Sequence, residues 1–90
     1  VITKLFSVYD TKVEAYQLPF HLHTVAEAKR AFAEVARDRN NRIGKYPEDH
    51  CLFELGEFDD STGRCTSLPA PISHGLALEY LRNEAHNPLP

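Results

Sequence analysis

Thr24 and Glu27, three residues apart and just ahead of apolar residues at helical spacing, constrain this chain more than any other feature. The Thr hydroxyl can accept the N–H of the residue three positions on while the Glu carboxylate reaches back to the Thr N–H, so two donors that a helix start leaves unpaired are satisfied together. Val25, Ala28, Ala31, Phe32, Val35 and Ala36 then recur at three- and four-residue steps, with Glu27, Lys29, Arg30, Glu34 and Arg37 mostly on the other side. The spacing predicts an amphipathic helix that ends around residues 37–39, where cations suit the negative end of the helix dipole, and that Asn40, Asn41 and Gly44 stop. A helix with one apolar stripe needs a surface to cover.

Strands supply that surface. Residues 2–9 alternate, with Ile2, Lys4, Phe6 and Val8 on one side and Thr3, Leu5, Ser7 and Tyr9 on the other. Asp10-Thr11-Lys12 offers a turn, and Val13, Ala15 and residues 16–22 return as a shorter strand that Pro19 interrupts or pushes to an edge. Residues 42–50 form a connector containing Pro47. Residues 51–58 read as a strand with Cys51, Phe53 and Leu55 on one side and Glu54 on the opposite, polar one; Gly56 marks a bulge that brings Phe58 to the side of Leu55. The turn residues Asp59-Asp60-Ser61-Thr62-Gly63 lead to a partner strand over 64–68, which Pro69 and Pro71 close. Ser73 is placed to cap a second helix carrying Leu76, Ala77, Leu78, Tyr80 and Leu81, which ends before Asn87-Pro88. The expectation is one α+β domain over residues 1–86, a small antiparallel sheet with two helices on one face in the order ββαββα, and a frayed tail at 87–90.

Composition narrows function. Ninety residues support a single small core, and 42 % hydrophobic with 26 % charged residues favours a folded domain over a disordered one. No apolar run approaches the roughly 18 residues of a membrane span, and Lys4 interrupts the region where a signal peptide stays apolar, so neither a membrane partner nor export is expected. Cys51 and Cys65 lie outside any CxxC spacing and read as reduced cytoplasmic thiols. A net charge of −3 argues against indiscriminate coating of nucleic acid, but the charge is bipolar. Between residues 29 and 45 six cations face only Glu34 and Asp38, whereas residues 47–60 hold six carboxylates and no Lys or Arg.

The acidic stretch tempts a catalytic or metal reading. Paired carboxylates act as acid and base only in a cleft that separates their pKa values, which proximity in sequence does not establish; Glu54 points to a strand's polar side, and Asp59 and Asp60 occupy turn positions. Glu57, Asp59 and Asp60 lack the spacing of a calcium loop, and His21, His23, His50, Cys51 and Cys65 would have to converge from distant segments to hold zinc. No GxSxG is present, and His50 points away from the side of Cys51, so no enzyme, catalytic residue, cofactor or metal is expected. The basic segment is the stronger candidate. Arg37, Arg39, Arg42 and Lys45 can reach phosphates, Asn40 and Asn41 can bond bases or sugars, and Tyr46 can stack on an unpaired base; the plainer reading is a solvated helix end. Opposite charge on the two stretches also suits association of two copies.

Three segments carry a resemblance beyond physical pattern: FSVYDTKVEAYQLPF at 6–20, EAKRAF at 27–32 and PEDHCLFELGEFDDSTG at 47–63. Over about residues 2–81 the chain resembles the small nonstructural protein of gokushoviruses, the microvirus group of single-stranded DNA phages. It departs from that pattern at Val1, where the family begins with Met, and at His50, where a Tyr is usual. The resemblance implies a protein of the infected host's cytoplasm, absent from the mature virion, that acts in viral DNA synthesis or packaging. Its expected partners are single-stranded DNA and the viral replication or procapsid proteins. The alternative is a homodimeric interaction module that engages a host or viral protein without touching DNA.

Overall fold

The computed structural model describes residues 1–86. In chain order the elements are β1 Ile2–Asp10, β2 Ala15–Tyr16, β3 Phe20–Leu22, α1 Val25–Arg37, α2 Arg42–Lys45, β4 His50–Asp59, β5 Arg64–Leu76 and α3 Ala77–His86. The fold is thus mixed α and β with an antiparallel sheet, but its order is βββααββα rather than ββαββα. Residues 87–90, read from sequence as a frayed tail, lie outside the described residues. No helix among the described residues is long and apolar enough to cross a membrane.

The centre of the sheet is the β1–β4 pair, with β5 on the far side of β4 and both β2 and β3 along the outer edge of β1. The returning strand is split because Pro19 has no N–H to give; Gln17 bridges the gap, its N–H donating to Val8 O at 2.8 Å while its carbonyl accepts from Ser7 Oγ at 2.6 Å. The capping box at Thr24 and Glu27 forms as expected.

β5 corrects the sequence reading most. Gly56 faces Ser67 and Glu54 faces Ile72, so residues 68–71 stand opposite Leu55 alone. Pro69 and Pro71 fall in this wide bulge on an edge strand, where they withhold no ladder donor, and the strand runs on to Leu76. Ser73 is therefore not a helix cap: it lies opposite Phe53, and its Oγ accepts the Gly75 N–H at 3.3 Å. α3 starts only after Gly75, whose φ of 102° turns the chain, and Glu79 accepts the Leu76 N–H at 2.6 Å. Gly56 fits a close approach, since a Cβ there would collide with the Thr66 carbonyl.

Residues facing each other across antiparallel strands share a side of the sheet. Phe6 faces Glu54, Val8 faces Leu52 and Asp10 faces His50. Phe6, Val8 and Leu52 join Ala28, Phe32 and Ala36 of α1, Ile43 of α2 and Ala77 of α3 in one buried cluster. The alternation expected along β4 is present, yet its core-lining residues are His50, Leu52 and Glu54, not the Cys51 and Phe53 set. Glu54 is accordingly buried rather than on a solvated face. Its carboxylate accepts from His74 Nε2 at 3.0 Å and lies 3.5 Å from Lys4 Nζ; the His74 bond above all holds the carboxyl below its usual range, against the opposing effect of burial.

The opposite side pairs Thr3 with Phe58, Ser7 with Phe53 and Tyr9 with Cys51, flanked by Tyr16, His21, Cys65 and Ser73. The rings of Tyr9, Tyr16 and Phe53 pack on one another at centroid distances of 4.8 to 6.2 Å, and His21 lies 6.1 Å from Phe58.

Candidate functional site

The basic segment is held by a chain of local bonds. Past the end of α1, Asp38 Oδ1 accepts the Asn40 N–H at 2.9 Å and the Asp38 carbonyl accepts the Asn41 N–H at 3.0 Å. Asn41 then caps α2 by accepting the Ile43 N–H at 2.9 Å, which is the usual work of an Asn before a helical turn. Ile43 is buried and pins the turn to the core, while Gly44 lies so near the Asp38 carbonyl that a Cβ would overlap it. Beyond α2, the Asp49 N–H donates to Tyr46 O at 3.0 Å, the Leu78 N–H to Pro47 O at 3.1 Å and the Thr11 N–H to Asp49 O at 2.9 Å, tying the connector to α3 and to the β1–β2 turn.

On this frame Arg37 sits in the last turn of α1, Arg39 in the link, Arg42 and Lys45 in α2, and Tyr46 just past it. All five are exposed, Tyr46 to 51 %. They do not share one groove. Asn40, Arg42, Lys45 and Tyr46 line a shallow hollow of about 400 Å³. Arg37 and Arg39 border a separate one of about 440 Å³ with Gly44 and Pro47. Lys45 belongs to both and makes the five a continuous band.

A third hollow, of about 330 Å³, reaches from Arg42 and Tyr46 down to Asp10 and His50, with Lys12 and Asp49 at its sides. Sequence reasoning missed this grouping, because Asp10 and His50 lie far apart in the chain. The signal was present in the alternation: Asp10 is in phase with Phe6 and Val8, and His50 is out of phase with Cys51, so both belong to the core side. Asp10 Oδ1 accepts the Lys12 N–H at 2.9 Å and the Val13 N–H at 3.4 Å. The Lys12 bond is the chief reason its carboxyl is held below the usual range, with His50 and Arg42 adding to it. His50 is 1 % exposed, and its Nδ1 must carry a hydrogen, since it lies 2.8 Å from the Tyr46 carbonyl, which only accepts. Among the described residues its Nε2 has no hydrogen-bond partner, and it lies 3.4 Å from Asp10 Oδ2. Arg42 Nε reaches the same oxygen only at 3.9 Å, an exposed and weak pairing that leaves the guanidinium open to other partners.

The other sequence candidates are dispersed. Asp59 serves the hairpin turn, accepting Ser61 Oγ at 2.6 Å and the Ser61 N–H at 3.0 Å, bonds that lower its pKa. Glu57 is exposed opposite Lys4, and Glu54 is buried with His74. His21 packs beside Phe58, while His23 lies past the end of β3. Cys51 is buried near Ser73 and Cys65 is exposed, both as free thiols. Among the described residues no three of His, Cys, Asp and Glu gather in a way that could hold a metal ion. A phage family, described as Phage ORF5 protein, matches residues 3–80 of the chain. No curated protein and no solved structure matches it.

Proposed function

Since the chain belongs to the Phage ORF5 protein family, we propose that it is a non-enzymatic accessory protein of a single-stranded DNA phage, of the gokushovirus kind. In this reading it works in the infected cell's cytoplasm on synthesis or packaging of the viral strand. It engages that strand, or the replication and procapsid proteins that handle it, through Arg37, Arg39, Arg42, Lys45 and Tyr46. The observation that carries the reading is the hollow in which Arg42 and Lys45 flank a half-exposed Tyr46 ring. Cations beside a stacking surface are what binding to an unpaired strand requires, with phosphates held electrostatically and a base laid on the ring. The neighbouring hollow at Arg37 and Arg39 lengthens the track for the backbone.

The test is a fluorescence-anisotropy titration of a labelled single-stranded oligonucleotide at low and moderate salt. The expected result is binding that weakens with salt, with the log–log slope reduced by about 1.4 in Arg39→Ala plus Arg42→Ala, since each phosphate contact on a single strand contributes about 0.7. Absence of binding at low salt, or unchanged binding by the double variant, overturns it. Tyr46→Ala separates stacking from charge: it should weaken binding while leaving the salt slope in place.

A further inference from the structure

The side of the sheet away from the buried cluster has a property that the charged hollows lack. Among the described residues, no Lys, Arg, Asp or Glu is paired on this side: Leu5, Tyr9, Tyr16, Phe53 and Phe58 are interleaved with hydroxyl, thiol and imidazole groups. Among the described residues, the buried side chains of α1, α2 and α3 enter the cluster on the opposite side, and Tyr16 remains 44 % exposed. A chain with 26 % charged residues has kept Lys, Arg, Asp and Glu out of a strip that spans several strands.

The occupant of such a strip can be narrowed by charge and by geometry. A nucleic acid needs cations for its phosphates, and the strip holds no Lys or Arg among its paired residues. Strand addition is blunted at both edges, by Pro19 between β2 and β3 and by Pro69 and Pro71 in β5. A strip without Lys, Arg, Asp or Glu fits its own image, because a twofold axis sets one patch against the same patch, where a charge of one sign would meet more of the same sign. The size is also suitable. Nine residues of β1 at ~3.4 Å each and four strand widths of ~4.8 Å outline roughly 600 Å² of sheet, on the order of the ~800 Å² per partner of a standard interface.

We infer that a second copy of this chain packs on this strip, the two sheets stacking face to face about 10 Å apart around a twofold axis, with Tyr9, Tyr16 and Phe53 at its aromatic part. This arrangement leaves the basic bands of both copies uncovered, and it does not depend on what they bind.

Sedimentation equilibrium from low micromolar to submillimolar concentration tests it. The wild-type chain should reach a dimer that moderate salt does not dissociate. Tyr16→Glu should raise the dimer dissociation constant at least about 100-fold, because the twofold axis doubles the introduced charge. Far-UV circular dichroism and thermal melting of the variant monomer check that it is folded. Cys65→Arg, on an exposed residue of the same side, should act in the same direction and keeps the test open if Tyr16→Glu misfolds. Arg39→Ala plus Arg42→Ala should remain dimeric. A wild-type monomer at every concentration overturns the inference, as does a dimer that salt or the arginine variant dissociates while Tyr16→Glu leaves it intact. Oligonucleotide binding by a monomer that Tyr16→Glu abolishes would assign the strip to nucleic acid instead and overturn it equally.

Discussion

On one side of the sheet Phe6, Val8 and Leu52 are sealed by helices, and even Glu54 and His50 are nearly removed from solvent; on the other, the rings of Tyr9, Tyr16 and Phe53 pack on one another and Tyr16 stays exposed. Three ionisable side chains, Asp10, His50 and Glu54, are thus buried on the helical side, while the Tyr16 ring stays exposed on the other. A carboxylate can be buried where the chain brings it partners, as His74 and Lys4 do for Glu54. An aromatic ring can stay on an open side when neighbouring rings cover part of it.

The largest effect that tests this difference is truncation on each side in turn. Phe6→Ala empties a fully buried site and should cost about 3–5 kcal/mol in urea unfolding. Phe53→Ala, on a half-buried ring of the open side, should cost about 1–2 kcal/mol in the monomer. Equal losses would mean that the two sides do not differ. Next comes His74→Ala, which takes the closest donor from a buried carboxylate and should cost about 1–3 kcal/mol. An Ala at Thr24 touches neither side but loosens the helix that seals one, and about 1 kcal/mol is expected from loss of the cap.

The smallest effect is a slope in pH. Because Glu54 has its carboxyl held below the ordinary 4.5, the native state takes up this proton less readily than the unfolded chain does. Its contribution is complete above about pH 4.5 and is lost as the pH falls through the lower native value. Denaturation series between pH 3 and pH 6 should show stability dropping with acid, and Glu54→Gln should shallow the drop. Asp10 and Asp59, lowered from 3.8, act in the same direction at slightly lower pH and set the residual slope.

Features decided within a few residues were legible in the sequence. The capping box, the helix it starts, the two hairpin turns and the bulge beside Gly56 all rest on neighbours that speak for themselves. Features decided by a distant partner were not. Pro69 and Pro71 signalled a strand end because nothing local shows that β5 is an edge with a four-residue bulge. Glu54 looked solvated because its partner His74 lies in a stretch that the prolines had assigned to a helix start. α2 falls between these cases, since Asn41 ahead of Ile43 is a local cap signal, but a four-residue helix needs the burial of Ile43 to persist. For the candidate site the residue types were readable, and their division among adjacent hollows was not.

The bond between His50 and the Tyr46 carbonyl has a bearing on any ligand that meets the Tyr46 ring. That carbonyl also accepts the Asp49 N–H, and the Tyr46 N–H donates to Arg42 O at 3.1 Å, so both polar groups of this peptide segment are occupied before binding. The ring is presented from a backbone with little conformational freedom left to lose. Ordering on contact is confined largely to the two torsions of the Tyr side chain, and the entropic penalty of association falls mainly on the ligand.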